Sequence, residues 1–537
     1  MTSPISRKGC HVKHDVAFNL EGVTLKMNRL TGSSIFSKRL RLSTELSVIA
    51  FIALMARSSS ISALNWASDD YSHAFNPPDQ FSFWLSQGRW VLYCINAAAV
   101  GLGASIPFVG GLWGIAEALA LAVLGLLLRH FWDPGAPSVI GIAVGSIVAL
   151  SPYATDLMSY NINGPWFIVC ILSSAGVLFL LSQHNNQPSS LIVVLALIIV
   201  TSYQALALMI AAIFVIDALV KLGGANNGAL EDGRRGIPML AHRLLLLFVA
   251  VAVNALITMV ICAIAEQQLQ ARGQIVGISE IPVRLMAAAL KIYDYWACDE
   301  SSVPRGAKLL QIFLLGVVIV GIVIRFFKCT ARNWVHRFFA AWAALMALCF
   351  SICIPVVPYF ALRENTGLMT PRMMLPLTIT YAGMLCVSYA FCPRGVRGII
   401  CALGVMLCIS YALKVNEQSA DFSRVNIRDR LLASRMIERF STMSDYKRMR
   451  TAVFVGDMTG IGESGIRTRA VSFNDSAFVT VWSRVGLLNE VGSLNLSEPT
   501  ANDIEMAKLV ARGRPHWPAG GSAFIQDEVG IIVVGEE

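Results

Sequence analysis

Charge is scarce in this chain: Asp, Glu, Lys and Arg make up 14% of 537 residues, against about 25% in soluble domains, while hydrophobic residues reach 55%. With a mean hydropathy of +0.61, that shortage excludes an ordinary soluble fold. Length loses its value as a domain counter, because most residues must face lipid or one another. Paired cysteines are missing too. Twelve cysteines stand singly, mostly inside apolar runs, and none follows Cys408, which excludes a disulfide framework or a zinc spacing. An early apolar run is also absent. Residues 1–42 form a basic tail with Arg7, Lys8, Lys13, Lys26, Arg29, Lys38, Arg39 and Arg41, and the first long apolar stretch begins too late for a signal peptide. No repeat of helix pattern stands out, which disfavours an inverted-repeat transporter. The net charge of +9 sits in the tail and in short loops, so it points to membrane orientation and not to nucleic acid.

What remains is a series of apolar runs of bilayer length, about 20 residues each. The first is 44–64, with Arg57 inside it either facing the interior toward an acid or snorkelling outward. Residues 90–102 read as an interfacial lead into 112–128, and 138–152 and 166–181 follow. The run 189–220 is too long for one crossing, and the basic loop 222–243 after it requires two, with a turn at Ser202, Tyr203 and Gln204. Further runs lie at 244–265, 309–326, 338–357, 373–391 and 399–413. Residues 282–296, between two of them, form an amphipathic stretch suited to the interface. This gives about eleven transmembrane helices, an inside N-terminus and an outside C-terminus. Residues 43–415 thus make a polytopic all-α membrane domain.

From residue 416 the pattern becomes that of a small α/β domain, 416–537, placed outside the membrane. Ile427, Leu431, Met436 and Phe440 suggest one helical stripe, 451–455 and 531–534 read as strands, and 503–510 as a helix. Gly460, Gly462 and Gly465 satisfy G-x-G-x-x-G, but no apolar helix pattern opens after them, so a glycine-rich turn is expected in place of a dinucleotide site.

The chemistry concentrates in one outer loop, 65–89, reading NWASDDYSHAFNPPDQFSFWLSQGR. An outward-facing transferase has no nucleotide sugars within reach and must draw on a lipid-phosphate carrier. It needs a carboxylate to accept the proton of the attacking hydroxyl and a cation for the departing phosphate. Asp69 and Asp70 are the catalytic candidates. Adjacent side chains diverge by about 100° on a helix, so one is expected to be the base and the other a sugar-hydroxyl ligand. Arg372 and Arg89 are the phosphate-binding candidates, since guanidinium matches phosphate oxygens bidentately. The second outer loop, SPYATDLMSY, brings Asp156 and Tyr160 to the same side. No cofactor is called for, and a divalent metal stays open as an alternative without a ligand set that indicates it. A helix cap or a solvated turn is the plain alternative for an Asp-Asp pair.

NWASDDYSH with SQGRW, then SPYATDLMSY, TSYQALAL and TPRMMLP, resembles the bacterial O-antigen glucosyltransferases of the type II Gtr kind, within the GT-C superfamily of polyprenyl-phosphate-sugar-dependent enzymes. The resemblance implies a GT-C-like fold in the bacterial inner membrane. It implies transfer of a glucosyl unit from undecaprenyl-phosphate-glucose to a lipopolysaccharide O-antigen sugar on the periplasmic face. Asp69 and Asp70 match the family's acidic pair and Arg89 its G-R turn. His73 stands where a basic residue is expected, and His73, Asp156, Tyr160, Tyr203 and Gln204 are the expected sugar or acceptor ligands. The partners expected are the lipid-linked donor, an O-antigen or other surface-glycan acceptor and membrane lipid. A lipid-linked-sugar flippase or an O-antigen polymerase is the competing class. The first should carry ionisable residues along a midplane path, and the second should centre on late outer loops.

Overall fold

The computed structural model describes residues 40–63, 65–75, 84–132, 136–182, 189–224, 230–266, 268, 277–297, 302–328, 334–354, 357, 371–456, 476–478 and 480–535. Residues 1–45 and 46–537 are two separate units. The described part of the first, 40–45, is helical and holds an i,i+4 ion pair of 2.9 Å between Arg41 and Glu45.

The second unit opens with helix α1 (residues 46–56), a turn at Arg57 and α2 (Ser58–Ser62). The short α3 (Ser68–Phe75) carries the acidic pair. The chain continues through α4 (Trp90–Gly101), α5 (Gly110–Trp132), α6 (Ser138–Ala149), α7 (Pro152–Met158), α8 (Gly164–Ser182), α9 (Ser189–Ser202), α10 (Ala207–Gly224) and α11 (Leu230–Ile264). Then come α12 (Ile281–Ala297), α13 (Arg305–Lys328), α14 (Trp334–Cys353), α15 (Leu375–Phe391) and α16 (Arg397–Ser441). This is an all-α polytopic membrane protein. Among the described residues six helices are long and apolar enough to cross a bilayer: α5, α8, α11, α13, α15 and α16. The pair α6–α7, bent by 41°, makes a seventh if it is one crossing. The other expected runs coincide with α1 and with the shorter apolar helices α9, α10 and α14. At 1.5 Å per residue, α9 reaches about 21 Å, short of a hydrocarbon core of about 30 Å. The run 189–220 breaks where expected, at Tyr203, whose backbone is extended before a 3₁₀ turn, Gln204–Leu206.

The bundle is built around α15. Every residue from Leu375 to Ser388 is buried, and α6, α10, α13, α14 and α16 pack around the helix. Outer helices instead turn apolar side chains away from the protein, as Phe248, Leu256 and Met259 do on α11 and Leu309 and Phe313 on α13. That inverted surface is what a lipid solvent selects. Inside, Asp217 of α10 and Arg243 of α11 form a buried ion pair. Arg57 faces the interior: its Nη1 donates 2.6 Å to the Ala149 carbonyl, and Glu117 of α5 lies within its electrostatic reach. The amphipathic stretch 282–296 is helical, as expected, within α12. Val283, Met286, Leu290 and Tyr293 recur at helical spacing and are all exposed, a face suited to the membrane interface.

The expected boundary at residue 416 falls inside α16, which runs unbroken for 45 residues, about 67 Å. The helix continues from the bundle to the C-terminal sheet, which packs against it. The expected stripe is corrected: Met436 and Phe440 are buried, but Ile427 and Leu431 are exposed. Nine residues separate Ile427 from Met436, which at 100° per residue places them on opposite faces. The buried face is Asp429, Ala433, Met436 and Phe440.

Strands β1 (Thr451–Val455), β2 (Ala523–Gln526) and β3 (Val529–Val533) form a sheet in the order β1-β3-β2, β1 parallel and β2 antiparallel to β3. Helices α17 (Val481–Gly492) and α18 (Ala501–Ala511) complete the domain. Thr500 and Asp503 close a capping box at the start of α18, and Arg450 bonds the same Asp503. The glycine motif at 460–465 and the loop carrying Arg363 and Glu364 lie outside the described residues. One hydrophobic core joins the distal domain to the acidic loop: Trp66 and Tyr71 are buried with Met436, Phe440, Phe478, Val485 and Leu487.

Candidate active site

The loop around the acidic pair is fixed from three sides. Asn65 Nδ2 donates 2.8 Å to Ser423 Oγ, and the Trp66 amide donates 2.8 Å to Asn426 Oδ1, both on α16. Asn161 Nδ2 donates 2.7 Å to the Asn65 carbonyl from the 3₁₀ turn Asn161–Asn163. Asp70 makes the third tie. It is fully buried, and its carboxylate accepts from the amides of Ala67 at 2.9 Å, Asn161 at 3.0 Å and Ile162 at 2.8 Å. Those bonds favour the ionised form. Burial outweighs them and pushes the carboxyl up to about 7.

Asp69 is one residue along α3 and points elsewhere. It is partly exposed, its Oδ1 accepts 3.1 Å from Trp482 Nε1, and it lies within electrostatic reach of Arg372 and Tyr160. Arg372 stands in the 3₁₀ turn Pro371–Met374, which Pro371 opens and which leads into α15, where Pro376 sits in the first turn. The buried helix α15 thus fixes an arginine whose side chain is 21% exposed. Asp156 of α7 braces it. Its Oδ2 accepts 3.3 Å from the Arg372 amide and lies 3.9 Å from Arg372 Nε. Asp156 Oδ1 is buried and makes no hydrogen bond among the described residues. The start of α7 is set by Ser151, whose Oγ accepts from the Ala154 amide and pairs at 2.7 Å with Thr378 of α15.

Aromatic rings finish the rim. The Arg372 guanidinium lies 5.9 Å from the Tyr160 ring centre, and that of Arg89 lies 4.8 Å from the centre of Tyr203, which stacks on Trp166. Gln204 Nε2 donates to the Gln87 carbonyl and holds the turn before Arg89. Gly88 in that turn has φ +76, and a Cβ there would meet Thr258 at 2.8 Å, so only glycine fits. The structure therefore gathers Asp69, Asp156, Tyr160, Tyr203, Arg89 and Arg372 from four separate segments. Gln204 supports the turn. His73 turns inward, stacks on Trp84 at 5.6 Å, and burial pushes its imidazole down to about 4, so it is neutral at pH 7.

Residues 60–387 match the family model described as glucosyl transferase GtrII, well over half of the chain. The chain belongs to the GtrII glucosyl transferase family. No curated protein matches it. All nine candidate residues, from Asp69 to Arg372, fall within the GtrII match, and the chain is a membrane glycosyltransferase. The distal domain lies outside the match. No group of three or more His, Cys, Asp or Glu able to hold a metal occurs among the described residues. Sequence reasoning missed Trp482, which touches Asp69 from 413 residues away in the chain. An exposed tryptophan at a helix start was its only local signal. It also missed Asn161 and Asn426, asparagines whose tie to the loop is legible only once the helices are folded together.

Proposed function

We propose that this GtrII protein moves a glucosyl unit from a polyprenyl-phosphate donor, undecaprenyl-phosphate-glucose, to a sugar of the lipopolysaccharide O-antigen. The site lies on the periplasmic face of the inner membrane. One observation carries this reading: a partly exposed carboxylate, Asp69, lies within electrostatic reach of Arg372, whose side chain is partly exposed, at the mouth of the bundle. Asp69 accepts the proton of the acceptor hydroxyl as its oxygen attacks the anomeric carbon. The bond from that carbon to the phosphate oxygen breaks, and polyprenyl phosphate leaves with the electron pair. Arg372, with Arg89 beside Tyr203, offsets the charge that develops on the phosphate. Asp156, buried behind the site, braces Arg372 in this account, and the Tyr160 ring lies against the same guanidinium. Asp70, whose oxygens are occupied by three backbone amides, orders the loop in this account and does not touch the sugar.

The test uses membrane vesicles supplied with polyprenyl-phosphate-glucose and O-antigen acceptor. Asp69→Asn preserves size and should lower turnover by about 10²–10⁴-fold, the usual share of a general base, while donor binding persists. Arg372→Ala should chiefly weaken donor binding. Parental transfer rates in a folded Asp69→Asn protein would remove Asp69 from the mechanism and favour transport of the lipid-linked sugar.

A further inference from the structure

Helix α17 brings the distal domain directly onto the acidic loop. Gly486 of α17 lies so close to α3 that a Cβ there would meet the Tyr71 carbonyl oxygen at 2.8 Å, and Val485 and Leu487 share the core that holds Tyr71. This contact fixes the first turn of α17 above the site. Trp482, in that turn, donates its indole N–H to Asp69 Oδ1 at 3.1 Å while half of the side chain stays exposed. Beyond residue 441, the large apolar side chains exposed among the described residues are Val481, Trp482 and Leu509. One of the three, Trp482, thus stands beside Asp69, with Val481 next to it in the same turn. An indole held at its polar end with part of its surface uncovered is oriented at little entropic cost. Its complement is a ligand with a flat apolar face and polar edges, and a pyranose ring has that shape: C–H groups on its faces and hydroxyls around its rim.

We propose that Trp482 is the platform for the acceptor sugar, so that the distal domain completes the active site. This rests on the glycosyl-transfer reading above and adds to it the seat of the acceptor. A pyranose stacked on Trp482 has its rim hydroxyls at the edge where the indole N–H meets Asp69, which is where the attacking hydroxyl must lose its proton. The donor is served by a different set, Arg372, Arg89 and Tyr203, on the turns that start the bundle helices.

Full-length Trp482→Ala and Trp482→Phe proteins are assayed in vesicles with polyprenyl-phosphate-glucose, varying O-antigen acceptor and donor separately, and thermal unfolding is recorded for each. Loss of the stacking surface in Trp482→Ala should raise the acceptor KM by about tenfold with the donor KM unchanged. Trp482→Phe keeps a ring and removes the N–H, so its acceptor KM should stay near the parental value. An acceptor KM in Trp482→Ala equal to that of the parent overturns the platform, as does a fall in kcat alone or an equal rise in both variants, which would reduce Trp482 to an anchor for Asp69. Failure of the parent protein to transfer glucose at all would instead count against the transfer reading.

Discussion

Asp70 shows how one residue of a matched pair acquires a role that its neighbour lacks. Its two oxygens hold three amides from two loops, yet burial raises its carboxyl from the usual value near 4 to about 7. The native state therefore holds a proton that the unfolded chain releases between those values, and the sign of the linkage follows. The contribution of Asp70 to stability is full below about pH 4, falls as pH rises through about 7, and is flat above that. Asp70→Asn cannot titrate, and its NH₂ group would face amide donors where an oxygen now accepts. It should lower stability by about 1–3 kcal/mol, the cost of an unsatisfied buried donor, and remove this part of the pH slope. Thermal unfolding of the detergent-solubilised protein between pH 4 and 8 checks both. An unchanged midpoint and slope would mean that the loop does not depend on this clamp.

At the scale of elements, the contact of α3 with α17 is the joint on which the site depends. The backbone of Tyr71 is the obstacle at Gly486, and unlike a side chain it cannot swing away. Gly486→Val should force the helices apart, cost about 1–3 kcal/mol by overpacking, and withdraw Trp482 from Asp69. Faster proteolysis of the region 476–535 together with reduced glucosyl transfer is the expected result, and a variant as resistant and active as the parent would show the joint to be unnecessary. Local pattern made some elements legible and hid others. Strand 451–455 agrees with β1 residue for residue, and helix 503–510 lies within α18, since each carries its own alternation or cap. The arm α16 was not legible, because the composition changes at residue 416 while the helix continues to Ser441. The six gathered site residues were visible as motifs. Which aspartate faces the opening was not, because that depends on how Asn161 and Ile162 pack against α3.

For the whole molecule, the shared core of Trp66 with Phe440 fixes a parity. On a membrane reading both ends of that contact lie on one side, so the chain between them crosses an even number of times. The six full-length helices and the α6–α7 pair, counted as one crossing, make seven, all after Trp66. An odd number of the shorter apolar helices α4, α9, α10, α12 and α14 must then cross as well. We propose that α9, α10 and α14 do, which makes ten crossings after Trp66 and, with α1, about eleven in all. On this reading the Lys328–Arg337 loop is cytoplasmic, in accord with its basic residues, and α14, α15 and α16 carry the chain from there to a periplasmic C-terminus. Reporter fusions separate the alternatives. A phosphatase joined within 329–333 should be inactive and a fluorescent protein there bright, while the phosphatase at the C-terminus should be active. If both positions report the same side, α14 does not cross, and the basic residues between α13 and α14 lie on the face of the C-terminus, against the charge-based orientation.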